Sequence, residues 1–474
     1  MTTVPLLTAA APILVVLLLL AVRVPSLWAG AAGLVTAALA ALLEFPPDAA
    51  GITAARGMAP TVVEVAVILL GGVGLAEAMR RGGAQDRIAD WLDGAERGAD
   101  RTATLLLLVF GLTPFMESVT GFGLVVVITA PLLVRLGLSP VKAVVSGLLG
   151  MVLVPWGSLG PGTLIAARLG GVDSGELGSW SALLTLPVLV VSAGAVLALD
   201  VGRPAPRQLV LTSAVVLVEW IALIAANLVL FPPAGVLAAA AVIAGLLART
   251  RLANGPLPAV DRALGLALLP YCVLVGGIFA ATGVSALLGA GGPAAVVVAN
   301  PAVWLVIAAT VAVGSLDVPA ADRWRVLRTA VRRWVPIAGN AVLFMVLGIV
   351  MATTGMAEHL AASAAHAGYG FVAAIPAIGA FGGYLTGSNT GAAAMFSAAT
   401  ATASAGLGAT PLIAVAGQNV AGSFAIIASP PRIALATAVA LPPGERLPGT
   451  AHGVLAGAAA TSAVLLGLLV LALA

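Results

Sequence analysis

Almost from end to end, this chain alternates uncharged apolar runs about one bilayer long with short segments that hold nearly all of its arginines. A helix needs roughly 20 apolar residues to cross a hydrocarbon core, and no soluble core could absorb so many such runs. Lipid is therefore the solvent in which this sequence folds. Composition agrees: of 474 residues, 61% are hydrophobic and 9% charged, where a soluble domain carries about a quarter charged residues. Because lipid offers the backbone no hydrogen bonds, spanning segments of this kind must be helical. The expected fold class is an all-α polytopic membrane protein.

The sequence pI near 9.6 would suggest nucleic acid in a soluble protein. Here the arginines sit between apolar runs, as the positive-inside bias of cytoplasmic loops requires, so no nucleic-acid partner is expected. A single cysteine, Cys272, excludes an internal disulfide, and His359, His366 and His452 are too scattered for a metal cluster. The first run has no basic residue before it and reads as a first span instead of a cleaved signal peptide.

The runs fall near 6–22, 26–43, 60–79, 102–136, 140–169 and 178–199, then 209–230, 234–247, 264–288, 294–313, 335–352, 371–407, 411–441 and 453–473. Two of them, 102–136 and 371–407, are too long for one span and carry small polar residues at their centres, which predicts re-entrant hairpins. With both as hairpins, the arginine-bearing loops at 80–101, 203–207, 249–262 and 323–333 all fall in the cytoplasm. The 44–56 and 357–370 loops and both termini then lie outside, in a multi-pass protein of the plasma or inner membrane. The mixed-charge stretch 85–101 reads as an interfacial helix.

An internal repeat supports this parse. Thr120-Gly121 is followed by Leu136-Gly137, Pro140 and a Pro/Gly break over 155–162; Thr390-Gly391 is followed, at matching spacing, by Leu407-Gly408, Pro411 and a break at Ser429-Pro430-Pro431. An odd number of crossings separates the two hairpins, so the repeats have inverted topology. The expected organisation is a first inverted repeat over residues 1–200, an inserted two-span linker over 201–262 and a second inverted repeat over 263–474. Each repeat has three spans, a re-entrant hairpin, a broken transmembrane helix and a final span.

Non-helical backbone at membrane depth persists only where protein or a water-filled cavity covers it. The two hairpin tips and the two breaks are such places, and the helix N-termini there offer N–H groups to a carboxylate. The candidate binding residues are Ser118, Thr120 and Gly121 at the first tip, Trp156, Gly157 and Ser158 in the first break, and Ser388, Asn389 and Thr390 at the second tip. Gln418, Asn419, Ser429 and Arg432 join them around the second break. Trp156 either stacks on a ligand or packs; Arg432 either pairs with a carboxylate or neutralises a helix end. Glu117 is the candidate for a coupling proton, since intramembrane ionisable groups are expensive and functional by default; the alternative is that it stays ionised as an acceptor for the N–H groups of the tip. Glu64 and Glu219 are also intramembrane, the latter placed away from the repeats' site and assigned to packing or oligomerisation. Neither a catalytic constellation nor a cofactor site is expected.

The sequence resembles the lactate permease family of secondary transporters. The resemblance rests on Phe115-Met116-Glu117 with Gly121-Phe122-Gly123, Ile128-Thr129-Ala130, Leu136-Gly137 with Pro140, Leu385 to Thr390, and Met395-Phe396. Ala364 to Gly368, and Ser429-Pro430 with Ile433-Ala434, add to it. It covers most of the chain and is weak between 202 and 330. Relatives in the wider ion transporter superfamily carry Ser-Asn-Thr at both tips; Ser388-Asn389-Thr390 repeats this in full and Ser118-Val119-Thr120 keeps two of three positions. The chain departs from the family's pattern at Leu124 to Val127 and at Val154-Pro155-Trp156-Gly157. The resemblance implies a scaffold domain and a moving transport domain, with proton-coupled uptake of lactate, glycolate or a similar 2-hydroxy acid by an elevator-type movement. The alternative is sodium-coupled transport of a di- or tricarboxylate or oxyanion; a channel or a membrane enzyme fits the pattern less well. Expected partners are the small carboxylate, the lipid bilayer and, through scaffold spans, a second copy in a homodimer.

Overall fold

Each apolar run becomes helix because only intra-segment hydrogen bonds satisfy its backbone in lipid. The structure is a computed structural model that describes residues 3–95, 100–121, 125–287, 297–316, 318–442 and 445–474. Phe122 to Leu124 of the first tip, and 288–296 between two apolar runs, lie outside the described residues. Among the described residues there is no strand, and nine helices are long and apolar enough to cross a membrane; the pair Ser174–Leu184 and Leu186–Val201, bent by 40°, is long and apolar enough when its two helices are taken together.

The long 102–136 run divides as its small residues suggest. A helix over Arg101–Leu106 passes through a π-helical turn, Leu107–Leu112, into Thr113–Thr120, where Gly121 stops it at φ 65°; the chain resumes as Val126–Arg135. Arg101 donates from Nη1 to the Leu136 carbonyl at 2.8 Å, so the two ends of this segment lie side by side. The 371–407 run divides into Phe371–Thr386 and Asn389–Gly406, packed on one another, with Gly387 at φ 64° between them. Both broken helices are present. Pro140–Leu149 is followed by a 3-10 turn, Val154–Leu159, and Pro161–Gly170; Pro411–Ala425 is followed by Ile426–Ala428 and Pro430–Ala440.

Charged contacts gather at one end of the helices. The buried Glu77 carboxylate is held by Arg80, Arg81 and, from the Ala320–Thr353 helix, Arg333. Arg101 pairs with Asp200 at 2.7 Å, Arg249 with Asp100, and Trp91 donates to the Ala259 carbonyl. These contacts tie the 80–101 loop to the 249–262 and 323–333 loops and to Asp200, just before the 203–207 loop. The opposite end joins Phe45 to His359 by an edge-to-face ring contact and Thr410 to the Ala474 carbonyl. The 85–101 stretch forms a helix over Ala84–Ala95, and its apolar side (Ala84, Ile88, Ala89, Leu92 and Ala95) is buried in protein, with the Arg262–Leu287 helix packed against it.

Small residues bring the two helices of the second half into backbone contact. A Cβ at Gly379 would strike the Gln418 carbonyl, and one at Gly383 the Gly422 carbonyl, so Phe371–Thr386 crosses Pro411–Ala425 with nothing between the chains.

Candidate functional site

The breaks and tips meet inside the bundle. Gly121 stands against Ser158, and Gly157 faces Glu117, whose Oε1 would lie 3.6 Å from a Cβ placed there. The first break has an unusual backbone: Ser158 and Leu159 adopt φ of 45° and 63°, followed by Gly160 at 77°. Two consecutive left-handed non-glycine residues are costly and persist only where the surroundings dictate them. Glu117, Ser118, Thr120 and Ser158 are all at most 1% exposed.

Arg432 reaches the same region from the second break. Its guanidinium is within electrostatic range of the Glu117 carboxylate of the first tip. Arg432 also lines a cavity of about 410 Å³ together with Thr386, Gly387, Ser388 and Thr390 of the second tip and Asn340 of the Ala320–Thr353 helix. Ser429 stands beside this cavity, its Oγ 3.2 Å from where a Gly387 Cβ would be; it is fully buried and its hydroxyl has no partner.

Behind the cavity lies a hydrogen-bonded ladder. Asn389 donates from Nδ2 to Asn419 Oδ1 at 2.9 Å; Asn419 donates in turn to Thr163 Oγ1 at 3.0 Å and Ser181 Oγ at 3.2 Å; Thr163 donates to the Pro155 carbonyl at 2.7 Å. Gln418 donates to Ser397 at 3.1 Å. The second tip, the second broken helix and the first break are thus one polar unit, while Asn389 Oδ1, Gln418 Oε1 and the hydroxyls of Ser118, Ser158 and Ser423 are left without partners.

Several candidates occupy other positions than expected. The Trp156 indole is fully buried and donates to Asn227 Oδ1 at 3.0 Å, so in this conformation it packs and does not line the cavity. The second break offers fewer N–H groups than a plain helix N-terminus, because Pro430 and Pro431 fill its first positions and have none. At the second tip, Ser388 Oγ accepts from the Gly391 N–H and Thr386 Oγ1 donates to the Gly382 and Ser388 carbonyls, so these hydroxyls hold the turn. Glu64 accepts from Asn300 at 2.7 Å. Glu219 is fully buried with both carboxyl oxygens unpartnered. The 201–262 segment is close to the first tip: Gly235 lies against Ser118 and Trp156, and Asn227 holds the Trp156 indole.

Sequence reasoning missed Asn340, Thr163, Ser181, Ser397 and Asn227. Single polar residues within apolar runs carry no local signal; only the packing of distant helices makes them neighbours. Tyr271 was also missed. It packs edge-to-face on Phe115, with ring centroids 5.4 Å apart, and its hydroxyl meets Met116 Sδ.

A family model described as L-lactate permease matches residues 5–243 and 291–444. The L-lactate permeases of Escherichia coli strains K12 and CFT073 are each 38% identical to this chain over 85 residues, a match spanning 18% of this chain and 15% of the relative. Among solved structures, MtrF of Neisseria gonorrhoeae, described with a class of antimetabolite efflux pumps, aligns over 89% of this chain and 82% of its own with 15% identity and a TM-score of 0.48.

Proposed function

Because the chain belongs to the L-lactate permease family, we propose that it is a symporter importing a small monocarboxylate, such as L-lactate or glycolate, together with protons. The observation that carries this reading is that Arg432, which lines the cavity, lies within electrostatic range of Glu117. Ionised Glu117 is a counter-ion for Arg432. A substrate carboxylate needs the same guanidinium, and two carboxylates cannot share it without repulsion. Protonation of Glu117 frees Arg432, the substrate anion takes its place, and the loaded site has the same net charge as the empty one. Proton and anion then cross together. Arg432 is the one cation among the described residues lining the cavity, which favours a monocarboxylate over the di- and tricarboxylates of the sodium-coupled alternative. No cofactor enters this scheme.

The same reading includes two inverted repeats over 1–200 and 263–474 around the 201–262 pair, hairpins re-entering the membrane at 102–136 and 371–407, and an elevator-type movement of the tip-bearing transport domain against a scaffold. Support comes from the contact of Arg101 with Leu136 and from the matched breaks. The clustering of the arginine-bearing loops supports a plasma or inner membrane protein with those loops in the cytoplasm and both termini outside. The cavity runs from the second tip to Ser26, at the arginine-rich end, as an inward-facing state would require.

The test is uptake of radiolabelled L-lactate into proteoliposomes under an inward proton or an inward sodium gradient. The wild type is expected to respond to protons alone. Glu117→Gln is expected to lose proton-driven accumulation, and Arg432→Gln to raise the KM for lactate by about 10–100-fold, the worth of a charge-assisted hydrogen bond. Sodium-driven uptake, or a proton response undiminished in Glu117→Gln, would overturn the assignment.

A further inference from the structure

The cavity at the second tip is lined by one carboxamide, and no element of the fold uses its oxygen. Asn340 lies on the Ala320–Thr353 helix, across from the tip, and lines the cavity with Arg432. Its Oδ1 is buried from water and has no hydrogen-bond partner. Stranding a buried amide oxygen is costly unless something that visits the site satisfies it. The tip hydroxyls of Thr386 and Ser388 are already engaged in holding the turn, and the remaining wall is largely apolar, with Leu69, Ile337 and Leu435. The polar chemistry the cavity offers is therefore one guanidinium, one carboxamide and the hydroxyls of Thr390 and Ser26, set in an apolar surface.

Resting on the symporter reading above, we propose that Asn340 is a specificity-determining residue that reads the 2-hydroxyl of the substrate. Arg432 holds the carboxylate. The Asn340 amide, an acceptor and a donor in either orientation of its side chain, pairs with the hydroxyl, which also both donates and accepts. The apolar wall takes the alkyl end. A site built to hydrogen-bond a substrate hydroxyl discriminates strongly against the analogue that lacks it, because the amide is then left unsatisfied. Asn340 also places this contact on a helix outside both tips, so the substrate bridges two parts of the fold.

The experiment compares L-lactate with propionate, which has the same charge and carbon skeleton without the hydroxyl, in proteoliposomes of wild type, Asn340→Leu and Asn340→Ala under a proton gradient. Wild type is expected to prefer lactate in kcat/KM by about tenfold or more. Both variants are expected to bring that ratio close to one by weakening lactate, while propionate uptake, retained within about twofold, shows that they fold and load. A wild type that does not distinguish the two acids, or variants in which both uptakes fall in parallel, would overturn the proposal. If wild type carries neither acid, the symporter reading itself fails and this inference fails with it; a ratio left unchanged in the variants overturns this inference alone and leaves that reading intact.

Discussion

Asn419 uses its carboxamide in three directions, toward Asn389, Thr163 and Ser181, and by doing so holds the second tip against the first break. Its loss would strand Asn389 Nδ2 and Ser181 Oγ and remove one of the two bonds of Thr163 Oγ1. Asn419→Ala is expected to cost roughly 1–2 kcal/mol, at the upper end for interhelical hydrogen bonds in membranes, and to lower the thermal midpoint of the purified protein in detergent. An unchanged midpoint would mean that water replaces the ladder. At this scale, legibility followed chemistry. Glu117 and Arg432 stood out in the sequence because charge inside a membrane is rare and costly. Asn340, Thr163 and Ser181 did not, because an uncharged polar residue in an apolar run has the same appearance whether it packs or binds.

The elements were legible where the backbone has to stop being helical. Glycine at Gly121 and Gly387 permits the positive φ that turns the chain, and the proline pairs end or begin the half-helices. The strained Ser158-Leu159 pair carries no such mark, since nothing in those residue types calls for left-handed backbone. The closest crossing in the fold was equally silent, because glycine is frequent throughout the chain. Only contact with Gly422 shows that Gly383 cannot take a side chain. Gly383→Val is expected to push Phe371–Thr386 off Pro411–Ala425 at a cost of about 1–3 kcal/mol or more, seen as reduced monodisperse yield by size-exclusion chromatography. Normal yield and stability would show that the two helices separate freely.

For the whole molecule, the ionic contacts at one end and the Phe45–His359 and Thr410–Ala474 contacts at the other divide the surface into two faces. Ser26 and Leu435 line the second-tip cavity, whereas Asp173 and Leu412 border a separate cavity. With Cys272 replaced by serine, a membrane-impermeant maleimide is expected to label Leu435→Cys in inside-out vesicles and Asp173→Cys in right-side-out vesicles. Labelling of both from one side would contradict the topology. Saturating lactate is expected to reduce labelling of Leu435→Cys if the tip-bearing domain moves outward or the cavity fills.

The sequence by itself determined the solvent, the helical class, the position of most of the apolar helices and the places where helices break. These follow from local rules: the length of an apolar run, the cost of charge in lipid, and the backbone freedom of glycine and proline. Only the tertiary structure decided which breaks meet, that Arg432 comes to Glu117, that Trp156 is held by Asn227 and that Asn340 faces the second tip. Those pairings join residues far apart in the chain, and in a bundle of similarly apolar helices they are set by which surfaces fit at close range, a property of the packed whole.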